Sequence, residues 1–149
     1  MGANVRIEPG VFFQQPECIS VGDNCWIDRG VVLLAGKPVA GKHRRIIKGS
    51  NRDVEGEIVL GNDIHIAPYS TISGMGGLRI GNNSKIASHA AIYTYTYVSL
   101  KPSILYADGM EIGEFVIIGT HSTIIGISKI DSEEIIRPHT FLSGTLLGK

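Results

Sequence analysis

Three histidines recur at one kind of place in this 149-residue sequence. His89, His121 and His139 each stand three residues beyond an isoleucine, in Ile86-Ala-Ser-His89, Ile118-Gly-Thr-His121 and Ile136-Arg-Pro-His139. An imidazole titrates near neutrality, so any one of them can act as a general base. Two together can bind a metal, although zinc needs ring nitrogens about 2 Å from the ion and further ligands. The third reading is a ladder of rings on an outer face, without chemistry. Tyr69 occupies the same place in Ile66-Ala-Pro-Tyr69. Tyr93, Tyr95 and Tyr97 alternate, which on a strand puts three phenol rings on one face. Such a stripe can stack on a sugar ring or a nucleobase, or pack at an interface between subunits. Lys37, Lys42, His43, Arg44, Arg45, Lys48 and Arg52 form a basic stretch interleaved with Asp53, Glu55 and Glu57. It can grip phosphates or serve as a solvated loop. His65 shows no partner in sequence.

The elements that position these residues follow from a six-residue period. The markers are Ile7, Phe13; Val21, Ile27, Leu33; Leu60, Ile66, Ile72; Ile80, Ile86, Ile92; Ile112, Ile118, Ile124; and Ile130, Ile136, Leu142. Six fits neither a helix nor simple strand alternation and is the signature of a β-helix. Each hexad supplies a short strand and a corner, and three hexads close a triangular coil. The marker points inward, as does a smaller residue four positions later, such as Cys25, Ser70, Ser84, Ala90 or Ser122. Glu134 interrupts that second column, so the last coil is expected to be deformed. About six coils stacked near 4.8 Å apart give a prism on the order of 25–30 Å long, so equivalent histidines lie about 5 Å apart. Gaps in the markers isolate two loop excursions, at about 35–58 and 98–110. The expected fold is all-β, in one domain over residues 1–149.

Composition narrows the function classes. The formal net charge is zero, which supplies no general field for nucleic acid or an anionic membrane. No apolar run is long enough to span a bilayer as a helix, and Met1–Arg6 lacks the apolar segment of a signal peptide. A cytoplasmic protein without an integral membrane segment is the expectation. Cys18 and Cys25 are too few for a disulfide scaffold or a zinc quartet, and Cys25 falls on an inward position.

The runs Ile80-Gly-Asn-Asn-Ser-Lys-Ile86-Ala-Ser-His-Ala-Ala-Ile92 and Ile112-Gly-Glu-Phe-Val-Ile-Ile118-Gly-Thr-His-Ser-Thr-Ile124 resemble the left-handed β-helix, hexapeptide-repeat acyltransferases. Val21-Gly-Asp-Asn-Cys-Trp-Ile27-Asp and Gly61-Asn-Asp-Ile-His-Ile-Ala-Pro68 resemble the same group. The nearest likeness is to the sugar O- and N-acetyltransferases of bacterial polysaccharide pathways. The resemblance implies a left-handed coil, a homotrimer with active sites between subunits, acetyl-CoA as donor and a sugar or nucleotide-sugar acceptor. It places the pantetheine arm beside Gly119 and Thr120. It also implies a catalytic His near the position of Tyr97, where this chain has Tyr, and a longer C-terminal segment than the ending Leu146-Leu-Gly-Lys149.

The leading expectation is therefore transfer of acetyl from acetyl-CoA to a sugar hydroxyl or amine. His121 and His89 are the candidate bases, Tyr93, Tyr95 and Tyr97 the candidate acceptor-binding residues, and Gly119 and Thr120 the candidate donor-binding residues. A lapsed enzyme or structural β-helix subunit is the alternative that Tyr97 motivates. A trimeric metalloenzyme resembling the γ-class carbonic anhydrases would need a ligand spacing that is not evident here, so no metal is expected.

Overall fold

Short strands alternate with corners throughout the computed structural model, which describes residues 1–41 and 45–144. Coil 1 contains β1 (Arg6–Ile7) and β2 (Phe12–Gln14). Coil 2 contains β3 (Ile19–Val21), β4 (Trp26–Ile27) and β5 (Val32–Leu34). After an excursion carrying β6 (Arg45–Lys48), coil 3 runs through β7 (Ile58–Leu60), β8 (His65–Ile66) and β9 (Thr71–Ser73). Coil 4 follows with β10 (Leu78–Ile80), β11 (Lys85–Ile86) and β12 (Ala91–Tyr93). A second excursion carries β13 (Tyr95–Leu100) and β14 (Ser103–Ala107). Coil 5 is β15 (Met110–Ile112), β16 (Ile117–Ile118) and β17 (Thr123–Ile125). Coil 6 is β18 (Lys129–Ile130), β19 (Ile135–Ile136) and β20 (Phe141–Ser143).

Equivalent strands pair in parallel to make three faces, ordered β1-β4-β8-β11-β16-β19, β2-β5-β9-β12-β17-β20 and β3-β7-β10-β15-β18. The register holds each marker over its equivalent, so Ile27, Ile66, Ile86, Ile118 and Ile136 form one column. Ile27, Ile66, Ile72, Ile92, Ile118 and Ile124 are fully buried. Burying each contributes roughly 1.5–3 kcal/mol relative to leaving it in water. The small inward residues are needed at the corners, where the chain folds back on itself. Ser70, Ser84 and Ser122 are buried there with their hydroxyls donating to the carbonyls of Ala87, Gly113 and Arg137. That satisfies polar groups which would otherwise be costly inside the prism.

Another corner explains the recurring Gly-Asp and Gly-Asn pairs. The Asn62 side chain accepts from the Asp23 amide at 2.8 Å, and the Asn82 side chain accepts from the Asn62 amide at 2.8 Å. The preceding glycine must be bare, because a Cβ on Gly22 would lie 2.4 Å from the Gly61 carbonyl oxygen.

Two expectations change. Coil 6 is regular: Glu134 keeps its backbone bond to the Ile117 amide and its side chain reaches solvent at the open end of the prism. The second excursion begins at Thr94–Tyr95 rather than 98, and Met110 is already an inward prism residue. Thr94 explains the early departure. Its hydroxyl accepts from the Gly76 amide and donates to the Ser73 carbonyl, which pulls it inside and ends the coil. The two excursions form one object, because β13 pairs antiparallel with β14 and β14 pairs parallel with β6. Lys42, His43 and Arg44 of the basic stretch, and the segment 145–149, lie outside the described residues. Among the described residues no α-helix occurs, and no helix is long and apolar enough to cross a membrane.

Candidate functional site

The histidine column forms as the period requires. Centroids of His89 and His121 are 4.9 Å apart with planes 7° from parallel; for His121 and His139 the values are 5.2 Å and 9°. Tyr69 extends the stack at 5.4 Å from His89. All four residues have positive φ, between 58° and 64°. That conformation disfavours side chains with a Cβ by about 1–2 kcal/mol, and aromatic stacking offsets about 0.5–1.5 kcal/mol. The three imidazoles face solvent. An imidazole lone pair lies in the ring plane, so parallel rings about 5 Å apart aim past one another rather than at one ion. Among the described residues no group of three or more His, Cys, Asp or Glu is placed to hold a metal.

The tyrosine stripe is divided. Tyr93 ends prism strand β12, whereas Tyr95 and Tyr97 alternate along β13 of the excursion sheet. Tyr93 and Tyr95 meet edge to face, with centroids 5.9 Å apart and planes at 85°. The turn at Thr94 breaks the single flat face expected of a continuous strand.

Gly119 is committed to the fold. Its amide donates to the Ile136 carbonyl and its carbonyl accepts from the Ser122 amide. A Cβ there would lie 2.4 Å from the Pro138 nitrogen. The neighbouring position differs. Its equivalents in coils 1, 3 and 6 are Pro9, Pro68 and Pro138, so the β-helix does not use a backbone donor there. Of the pair, only the Gly119 amide has a backbone hydrogen bond among the described residues.

A second constellation was hidden by sequence distance. His65 Nε2 lies 3.2 Å from an Asp28 carboxylate oxygen, although 37 residues separate them. Asp28 is buried and its other oxygen accepts from the Arg29 amide at 2.9 Å. Burial pushes the Asp28 pKa up. The Arg29 amide and His65 outweigh it and hold the carboxyl below its ordinary range. His65 stacks on Trp26 at 4.3 Å, and the Arg6 guanidinium sits 4.8 Å above the indole. The missed signal was positional: Asp28 follows marker Ile27 and His65 precedes marker Ile66, one coil above.

Cys25 is inside the prism, as expected, and donates to the Gly61 carbonyl at 3.2 Å. Burial raises its thiol pKa, which leaves it a packing group rather than a nucleophile.

No protein-family model matches the chain. It is 30% identical over 136 residues to a dTDP-4-amino-4,6-dideoxy-D-glucose acyltransferase of Escherichia coli. That alignment spans 84% of this chain and 62% of the relative, so the chain corresponds to under two thirds of that protein. A structure of a mutant of AntD, an N-acyltransferase from Bacillus cereus, in complex with dTDP and coenzyme A, superposes with a TM-score of 0.76 at 20% identity. It matches over 95% of this chain and 71% of AntD. AntD with dTDP and 3-hydroxybutyryl-CoA gives a TM-score of 0.68 at 19% identity, over 95% and 74% of the two chains. With the repeat, the three parallel faces and these superpositions together, the fold is the left-handed parallel β-helix that the hexapeptide resemblance implies.

Proposed function

We propose that this protein transfers an acyl group, acetyl in the simplest case, from acyl-CoA to the amine of a nucleotide-linked amino sugar. The observation that carries the reading is the likeness to the dTDP-amino-sugar acyltransferase across 84% of this chain, on a prism of the same kind as AntD. In the reaction the sugar nitrogen attacks the thioester carbonyl and a C–N bond forms. The C–S bond then breaks, and CoA leaves as a thiol with the proton lost by nitrogen.

An amine acceptor fits the presence of Tyr97 where a base is expected. A neutral amine attacks with its own lone pair, so proton removal can follow C–N bond formation. A hydroxyl needs a base earlier. His121 and His89 are the candidate acceptors of that proton, and the Thr120 amide is a candidate donor to the thioester oxygen. Tyr93, Tyr95 and Tyr97 remain candidates for the acceptor sugar, on the prism–excursion junction rather than on one stripe. The site operates in a homotrimer, in the cytoplasm, where acyl-CoA and nucleotide sugars are supplied.

One observation favours a lapsed or structural subunit instead: Tyr97 itself. Thiol release from acetyl-CoA in the presence of dTDP-4-amino-4,6-dideoxyglucose separates the readings. Turnover is expected, and its absence across a panel of nucleotide amino sugars and acyl-CoA donors would favour the structural subunit. If an imidazole takes the proton, His121→Ala or His89→Ala will lower turnover on the order of a hundredfold or more. Unchanged turnover in both variants would remove the column from the chemistry.

A further inference from the structure

The corner that carries the imidazole column changes character at its N-terminal end. The equivalent residues in coils 1 to 6 are Gly10, Gly30, Tyr69, His89, His121 and His139, and all have positive φ. The stack of four rings therefore stops at Tyr69. Beyond it two coils present only backbone. Tyr69 covers the first of these, since a Cβ on Gly30 would lie 2.4 Å from its ring, and the open space lies over Gly10, where the nearest atom to a Cβ would be 3.6 Å away. Tyr69 is still 54% exposed. An open depression of about 630 Å³ lies here, lined by Glu8, Pro9, Gly10, Arg29, Gly30 and Tyr69. Small-molecule sites commonly occupy about 300–1,000 Å³.

The charges around it are unevenly committed. Glu8 pairs with Arg6, and Asp28 is engaged by His65 and the Arg29 amide. The Arg29 guanidinium makes no ion pair among the described residues. The depression thus offers an exposed phenol ring, open space over Gly10 and a guanidinium that has no ion pair among the described residues, although its charge also acts on Asp28. A planar heteroaromatic ring carrying phosphate matches all three features.

We propose that this depression is a nucleotide subsite, in which a base stacks on the exposed ring of Tyr69 over Gly10, while Arg29 binds phosphate. The inference deepens the nucleotide-sugar reading and rests on it for its biological ligand. The base can come from the nucleotide sugar or from the adenine of CoA, and the test distinguishes these.

Calorimetric titrations of dTDP, thymidine and CoA would be made with the wild-type chain and with Tyr69→Leu, Tyr69→Phe and Arg29→Gln. Base–aromatic stacking predicts that Tyr69→Leu weakens dTDP binding by at least about fivefold, whereas Tyr69→Phe stays within about twofold. Arg29→Gln should weaken dTDP and leave thymidine unchanged. The same pattern on CoA alone would assign the subsite to adenine. Unchanged affinities in Tyr69→Leu for both ligands, or no binding of either to the wild-type chain, would overturn the subsite. Unaltered thermal unfolding of the variants checks that the fold persists. Acyl transfer is scored separately: turnover with Tyr69-independent binding removes the subsite alone. Tyr69-dependent binding without turnover removes the acyltransferase reading alone.

Discussion

Asp28 shows how one carboxylate is held charged at the wall of the prism. Its folded pKa lies below the unfolded value of about 3.9, because the Arg29 amide and His65 favour the charged form more than burial disfavours it. The resulting stability is complete above that unfolded value and is lost as pH falls through the folded pKa. Asp28→Asn should cost about 1–3 kcal/mol near neutral pH and flatten the acid limb of the stability curve below about pH 4. Denaturant unfolding across pH checks this, and an unchanged acid limb would show that other carboxylates set it. Sequence alone could not pair these residues. Their contact depends on two chain positions 37 residues apart meeting on adjacent rungs, with a complete excursion between them.

At the scale of elements, the strands of the prism were legible and the excursion sheet was not. A marker every six residues reports inward packing, which repeats because each coil meets the same neighbours. Excursion residues meet neighbours that occur once. The sheet of β13, β14 and β6 needs two loops far apart in sequence to become adjacent, and no local period records that. Asp108 ties the loops together: its side chain accepts from the amides of Asn51 and Gly109 and lies 3.2 Å from the Tyr106 hydroxyl. Burial and that carboxylate also push the Tyr106 pKa up. Asp108→Ala should therefore loosen both excursions together while leaving the prism folded. Limited proteolysis is expected to cut within about 37–57 and 95–109 at raised and similar rates, with little shift in the main unfolding transition. Selective cutting of one loop would show that they are held independently.

Across the whole molecule, the outer surface is less uniform than the core. Ile117 and Ile135 are neighbours on one outer face and are 42% and 67% exposed, and Phe115, two residues before Ile117 in the chain, is 57% exposed. Exposed large apolar groups paired on adjacent rungs favour burial against another surface, which supports the proposed homotrimer. Sedimentation velocity should give three times the 16.0 kDa chain mass. A monomer at micromolar concentration would contradict it, and Ile135→Glu should shift the trimer toward monomer.

The repeat by itself determined the number of coils, the inward columns and the stacking of His89, His121 and His139, because a β-helix converts sequence period directly into position. It also located most of each excursion. Tertiary structure decided which interruptions matter. Burial of Thr94 divides the tyrosines between prism and excursion. The Gly119 amide is committed to the Ile136 carbonyl on the next coil. Asp28 becomes the partner of His65, and Tyr69 settles over Gly30 with open space only over Gly10. Each of these depends on groups meeting across coils or excursions, whose separation in the chain follows no fixed spacing.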